Sequence, residues 1–448
     1  MRYSMTPLIP INFSYNPAYL ARKQLYQMNA LAFSSEYVIK KSSLIADFLM
    51  PTQTMTNPKN PNRDYLWARY LQGASWAGYP KQYLDKILGL SLKGYPNLKG
   101  FDGRMQDFFE YATTTKTSLV DIQIEAMTDI IKYGSAMIRI VIEDQAETAK
   151  TMPKVEVIPG NEILDAKVHF DVEKNMDVCD WVVWKTDENI FNEQTKSYQT
   201  YVVLHVLGLN EEGFCYEAQL LESQYSAFDF RHPEESKTLG LTMLSWNEPL
   251  RDVPVIFCTA DNLRCEWRDA YAQPLIDLAL HCFQMEADNC FALHQQSTAH
   301  LVITGADPAK NYSTGLGTVH VFDAEGAKES YVAPPTAGIS LQFDKLKDLK
   351  AQIEAMMLNI AVAANASGIA LQLHLGDKTN SIIAFIKNVG QAVQRIAEEV
   401  AIITGEGNPD VIEYIPFTDF GGMTEEIETI EEVDANKKKE VKTNEAEA

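Results

Sequence analysis

The sequence predicts an α+β protein whose helices lie mainly toward its two ends and whose strands crowd its middle. Two observations carry this. Apolar residues recur at helical spacing before residue 133 and again after residue 273, whereas 178–257 alternates with a period near two. The resulting order is helix, sheet, helix, small sheet, helix, helix, and there is no internal repeat.

The elements follow in turn. Residues 16–33 read as a helix, with Asn16 as N-cap and Pro17 at the first helical position. Residues 51–62 hold three Pro and three Asn and read as a loop. Residues 65–88 carry Tyr65, Leu66, Tyr70, Tyr83, Leu84 and Ile87 at helical spacing, broken at Gly78-Tyr79-Pro80. Residues 94–103 form a connector. In 118–132 the residues Leu119, Ile122, Met127, Ile130 and Ile131 give a helix one buried stripe, and Gly134 stops it.

Residues 136–142 then read as a strand, with 155–158 as its partner. Trp181 to Trp184, 201–207 and 216–221 continue the β block, with Gly208, Gly213 and Gly240 at its turns. Helical pattern returns at Gln273-Pro274 and runs to 297. Residues 301–304 and 319–322 are short strands around a Gly-containing stretch. Residues 344–363 form a helix rich in Leu, Ile and Met. Residues 364–380 are small and polar, with Gly368 and Gly376, and read as a flexible loop. Residues 381–403 form an amphipathic helix ending at Gly405, and 411–420 a strand. The acidic tail from Met423 has no aromatic residue and reads as disordered.

At 448 residues the chain has room for two to four domains and a sizeable core. No signal-peptide pattern opens it, and no run of about 18 uncharged apolar residues predicts a membrane span. The six cysteines form no CxxC pair, so reduced, mostly buried thiols in a cytoplasmic setting are expected rather than zinc or redox chemistry. The net charge of −22 argues against gripping duplex DNA by phosphate neutralisation. It is compatible with a surface past which DNA slides, because an acidic wall repels phosphate.

Motifs for catalysis are missing from the sequence. Gly376-Asp377-Lys378-Thr379 has Asp where a phosphate-cradling loop needs its second Gly. Asp419-Phe420-Gly421 matches a kinase triplet, but no HRD-type catalytic loop precedes it. There is no HExxH and no GxSxG, the histidines are scattered, and the densest acidic run, 425–432, lies in the tail. The residues therefore predict a protein that is not an enzyme, with no metal and no cofactor.

Pro249-Leu250-Arg251-Asp252-Val253-Pro254 is followed by Gln273-Pro274-Leu275-Ile276-Asp277-Leu278-Ala279, a long helix, and His300-Leu301-Val302-Ile303-Thr304-Gly305. This resembles tailed-bacteriophage portal proteins, the head-to-tail connectors, in which a "PL-x-x-IP" strand leads to "P-L-x-D-L-A", a helix and "P-x-L-x-x-x-G". Here Ala299 or His300 stands where that family usually has Pro. Gly326-Ala327 with Tyr331-Val332 and Pro334 resembles the family's next strand, and Ile130 to Ile138 its step from helix through Gly to strand. The likeness spans roughly 65–420 and departs most at 366–380.

The resemblance implies a portal-type architecture with a wing, a helical-hairpin stem, a small α/β clip and a long tunnel helix. Residues 1–271 would be the N-terminal wing region, 272–298 the first stem helix, 299–342 the clip and 343–363 the second stem helix. Residues 364–380 would be a tunnel loop, 381–422 the wing helix and closing strand, and 423–448 the acidic tail. Asn365, Gln372, His374, Lys378 and Asn380 would face DNA from that loop, with weak, sequence-blind backbone contacts. Asp277, Glu286 and Asp288 would line the stem as an acidic wall. The implied assembly is a ring of about twelve copies. It would sit at the capsid portal vertex of the virion after assembly in the host cytoplasm. Its partners would be major capsid and scaffold proteins, the terminase motor, tail or adaptor proteins and the double-stranded DNA passing through, with no membrane. Two alternatives stay open: another virion adaptor or capsid component, and a metal-dependent nuclease with a dispersed carboxylate site.

Overall fold

The computed structural model describes residues 15–49, 59, 61–142, 152–192, 197–296, 300–304, 328–332, 337–357 and 368–418. The N-terminal helices are α1 (Pro17–Ala32), α2 (Glu36–Lys41), α3 (Ser43–Phe48), α4 (Arg63–Gly73) and α5 (Tyr79–Ser91). Strand β1 (Asn97–Lys99), α6 (Arg104–Glu110) and α7 (Leu119–Tyr133) lead into the sheets. These comprise β2 (Ser135–Val141), β3 (Lys154–Pro159), β4 (Ile163–Asp171), β5 (Met176–Asn192), β6 (Ser197–Leu209), β7 (Cys215–Leu221), β8 (Gly240–Met243) and β9 (Val255–Thr259). Then come α8 (Gln273–Gln296), β10 (His300–Thr304), β11 (Lys328–Val332), α9 (Ala337–Met356), α10 (Gly368–Thr404) and β12 (Glu413–Ile415). The chain divides into two compact units: 1–27 with 84–271 and 365–448, and 28–83 with 272–364.

Local chemistry sets several boundaries in the first unit. The Asn16 side chain accepts from the Ala18 amide at 2.9 Å and caps α1. Ser118 and Asp121 form a reciprocal capping box at the start of α7. Gly134 ends α7 at φ 82°, and a Cβ there would lie 2.4 Å from the Asp269 carbonyl oxygen, so only Gly fits.

Strands β4 to β8 form an antiparallel meander, and β3-β2-β9 a second antiparallel sheet in which Ile138 is paired with both Val157 and Ile256. Alternation along β2 sorts its side chains. Met137 joins Val255 and Phe257 against Val182, Trp184 and Leu207 of the larger sheet. The far face of that sheet, with Val183, Leu204 and Val206, is covered by Tyr15 and by Tyr19 and Tyr26 of α1. Helix α10 buries Phe385, Ile386, Val389, Val393, Ile396 and Val400, each stabilising by about 1.5–3 kcal/mol on burial.

Four expectations change. Residues 368–380 are helical and continuous with 381–404, not a loop. Ala370, Leu371, Leu373 and Leu375 are strong helix formers, and one interior Gly costs only about 1 kcal/mol. The helix expected over 344–363 begins at Ala337, so 337–342 are helical rather than part of the expected clip. The closing strand shrinks to Glu413–Ile415, stopped by Pro416 after pairing with β1. Gly208 lies inside β6 rather than at a turn, where a Cβ would meet Trp181 at 2.9 Å and the Tyr216 hydroxyl at 3.1 Å. The expected loop at 51–58, strand at 319–322, end of the second stem helix at 358–363 and tail at 423–448 lie outside the described residues.

Candidate functional site

The second unit contains a helical hairpin. The chain runs along α8, passes through β10 and β11, and returns along α9. The two strands pair antiparallel, with His300 opposite Val332 at the helix-proximal end and Thr304 opposite Lys328 at the other. Helices α8 and α9 therefore meet at the base of this ladder and pack side by side. Leu275 and Cys282 from α8 and Leu346, Leu349 and Ile353 from α9 form the buried seam, with Tyr79 and Tyr83 against it.

The three acidic residues expected to form one wall do not share a face of α8. Asp277 and Asp288 are eleven residues apart, about three turns, and so lie on one side; Glu286 lies about half a turn away. Asp277 is exposed and accepts from Gln273 Nε2 at 2.8 Å. Glu286 is ion-paired with Lys350 of α9 at 2.7 Å, a bond that raises the Lys350 ammonium above its ordinary range. Asp288 Oδ1 accepts from the Tyr70 hydroxyl of α4 at 2.6 Å. Of the three, Asp277 is exposed, whereas Glu286 and Asp288 are half-buried. Lys350 and Tyr70 were missed because their pairings span 64 and 218 positions, and only the fold brings them together.

The residues expected to face DNA fall at the start of α10, in the first unit. Gln372, His374, Lys378 and Asn380 lie on its helical backbone, and Asn365 lies outside the described residues. Further along, Asn388 Nδ2 donates to the carbonyls of Thr259 at 2.9 Å and Asn262 at 3.2 Å, and the Phe385 ring stacks on Tyr271 at 4.9 Å. Gly390 lets Pro416 approach: a Cβ there would meet the proline ring at 2.6 Å. These contacts fix the helix against β9 and the C-terminal segment.

Arg139 on β2 is one of the buried charged groups among the described residues. It donates to Glu156 at 2.8 Å and to Glu217 at 2.9 Å, with its guanidinium 4.7 Å above the Trp184 ring. Trp184 stacks in turn on His205, whose Nε2 is 2.9 Å from Thr186 Oγ1. The array ties the β3-β2-β9 sheet to the β4–β8 meander. The tryptophans also serve as anchors: Trp181 stacks on Phe230, Trp67 on Tyr70, and Trp267 Nε1 donates to the Ile163 carbonyl.

Among the described residues, no three His, Cys, Asp or Glu side chains are placed to hold a metal ion, and no helix is long and apolar enough to cross a membrane. All six cysteines are free, and Cys179, Cys215, Cys258 and Cys282 are buried. No protein-family model matches the chain, and no curated protein does. Among solved structures, the chain is similar to one described as "Neck of empty GTA particle computed with C6 symmetry". That alignment covers 83% of this chain and 86% of the other, at 9% identity and a TM-score of 0.36.

Proposed function

We propose that this chain is a portal-type connector subunit of a tailed phage. Copies would form a ring at one capsid vertex, conduct double-stranded DNA during packaging and ejection, and dock first the packaging motor and then the tail. The observation that carries the reading is the α8–α9 hairpin with the β10–β11 ladder at its turn, followed by the long α10. This element order accompanies the motifs that resemble portal proteins. In the proposed ring the work is mechanical: ATP hydrolysis belongs to a separate motor, and the protein supplies a path. The charge balance of 39 basic against 61 acidic residues supports a conduit that does not hold DNA.

Negative-stain electron microscopy with mass measurement of the purified protein tests the reading. Rings of about twelve copies around a hole wide enough for a duplex are expected. A chain that stays monomeric with capsid and scaffold proteins present would overturn it. Divalent-metal-dependent cleavage of DNA by that monomer would point to the nuclease instead.

A further inference from the structure

A cleft of about 430 Å3 opens in the first unit where three segments meet: the turn between β4 and β5, the loop after β9 and the middle of α10. Each segment contributes one cation: Lys174, Arg264 and Arg395. The carboxylate among the lining residues, Asp261, is occupied, accepting from Arg268 Nη1 and Thr259 Oγ1. A cleft of net positive charge in a chain of net charge −22 stands apart from its surroundings.

The scaffold around the cleft is tied down. Asp171 Oδ1 accepts from the amides of Glu173 and Lys174 at 2.8 and 3.1 Å, which fixes the turn. The bonds from Asn388 to the Thr259 and Asn262 carbonyls fix the loop to the helix. Arg264 lies 4.4 Å over the Phe170 ring and, among the described residues, has no carboxylate or hydrogen-bond partner. Stacking orients the guanidinium plane and leaves its N–H edges free. The amides of Asn175 and Gln391 are likewise unbonded among the described residues. Lys174 sits 3.6 Å from Glu399, whose carboxyl burial raises above its usual range, and Arg395 is 2.7 Å from Glu398. Two of the cations thus have internal counterions, and Arg264 does not.

We infer that this cleft binds a phosphate group, with Arg264 giving forked N–H donors, Lys174 a point charge, and Asn175 and Gln391 neutral donors. The group arrives either as free phosphate or on a nucleic-acid backbone. The site is complete within one copy of the chain, so it does not depend on ring formation.

The test uses the full-length protein. Binding of inorganic phosphate is read by thermal shift at constant ionic strength, and binding of a short mixed-sequence labelled duplex by fluorescence anisotropy. Wild type should bind, and Arg264→Ala combined with Lys174→Ala should weaken binding by about tenfold or more, while Lys237→Ala, away from the cleft, leaves it unchanged. Phosphate binding without duplex binding assigns a free-anion site. Duplex binding that phosphate displaces, with a salt dependence reduced in the double variant, assigns the backbone. Binding of neither probe overturns the inference. So does a double variant, folded by circular dichroism, that binds like wild type, or a Lys237→Ala loss of equal size.

Discussion

The hydroxyl of Tyr70 donates to Asp288 across 2.6 Å, tying α4 to the first helix of the hairpin. Burial, and then this bond, hold the phenol above its ordinary pKa range. Removing the hydroxyl leaves a partly buried carboxylate without that donor. Tyr70→Phe is therefore expected to cost about 1.5–3 kcal/mol, read as a lower denaturant midpoint at unchanged slope.

Two glycines should respond in opposite directions to the same substitution. Gly134 has φ 82° and backbone oxygens within 2.6 Å of any added Cβ, so Gly134→Ala should destabilise by 2 kcal/mol or more, an order-of-magnitude figure of about that size. Gly89 is exposed within α5 and has nothing within 4 Å of an added Cβ. Gly89→Ala should stabilise by about 0.5–1 kcal/mol. Thermal midpoints of the pair, compared with wild type, check both signs.

Burial, helped by the neighbouring Glu125 charge, pushes the Asp129 carboxyl up to about 8. Its unfolded value is about 3.9, so between those values the folded state holds the proton more tightly. The favourable contribution is complete below about pH 4, fades as pH rises, and is gone above about pH 8. Asp129→Asn should match wild type near the acid end and exceed its stability by several kcal/mol at the alkaline end. Denaturant titrations across that range would show the two stability curves diverging with rising pH; parallel curves would refute the assignment.

Arg139 holds two carboxylates between the sheets of the first unit. Arg139→Met leaves Glu217 half-buried without its cation and should cost about 3 kcal/mol. Adding Glu217→Gln should recover part of that loss. A double-mutant cycle on unfolding free energies reads the coupling, and strict additivity would contradict the ion pair.

Much of the fold was legible because local chemistry wrote it. Asn16-Pro17, the break at Gly78 to Pro80, and Gly134 each mark a boundary that the structure keeps. Strands β5 to β7 were legible because β-branched and aromatic residues crowd them, and both faces of their sheet are packed. Residues 368–380 misled for a physical reason: two glycines and several amides suggest a loop, yet the leucines between them and the adjoining helix favour continuation. Asp277, Glu286 and Asp288 all lie on α8, but the partners of Glu286 and Asp288 were invisible in the sequence. Lys350 and Tyr70 reach them only through tertiary packing, which no local pattern encodes.

The β10–β11 ladder has an evolutionary consequence. Five paired positions close the chain on itself between the hairpin helices, so the span from 305 to 327 begins and ends at neighbouring points whatever its composition. Doubling the length of such a span costs only about 0.6 kcal/mol of closure entropy. Selection can therefore rewrite or lengthen that stretch while the helices on either side keep their register. The hairpin can stay constant as the sequence between its strands diverges.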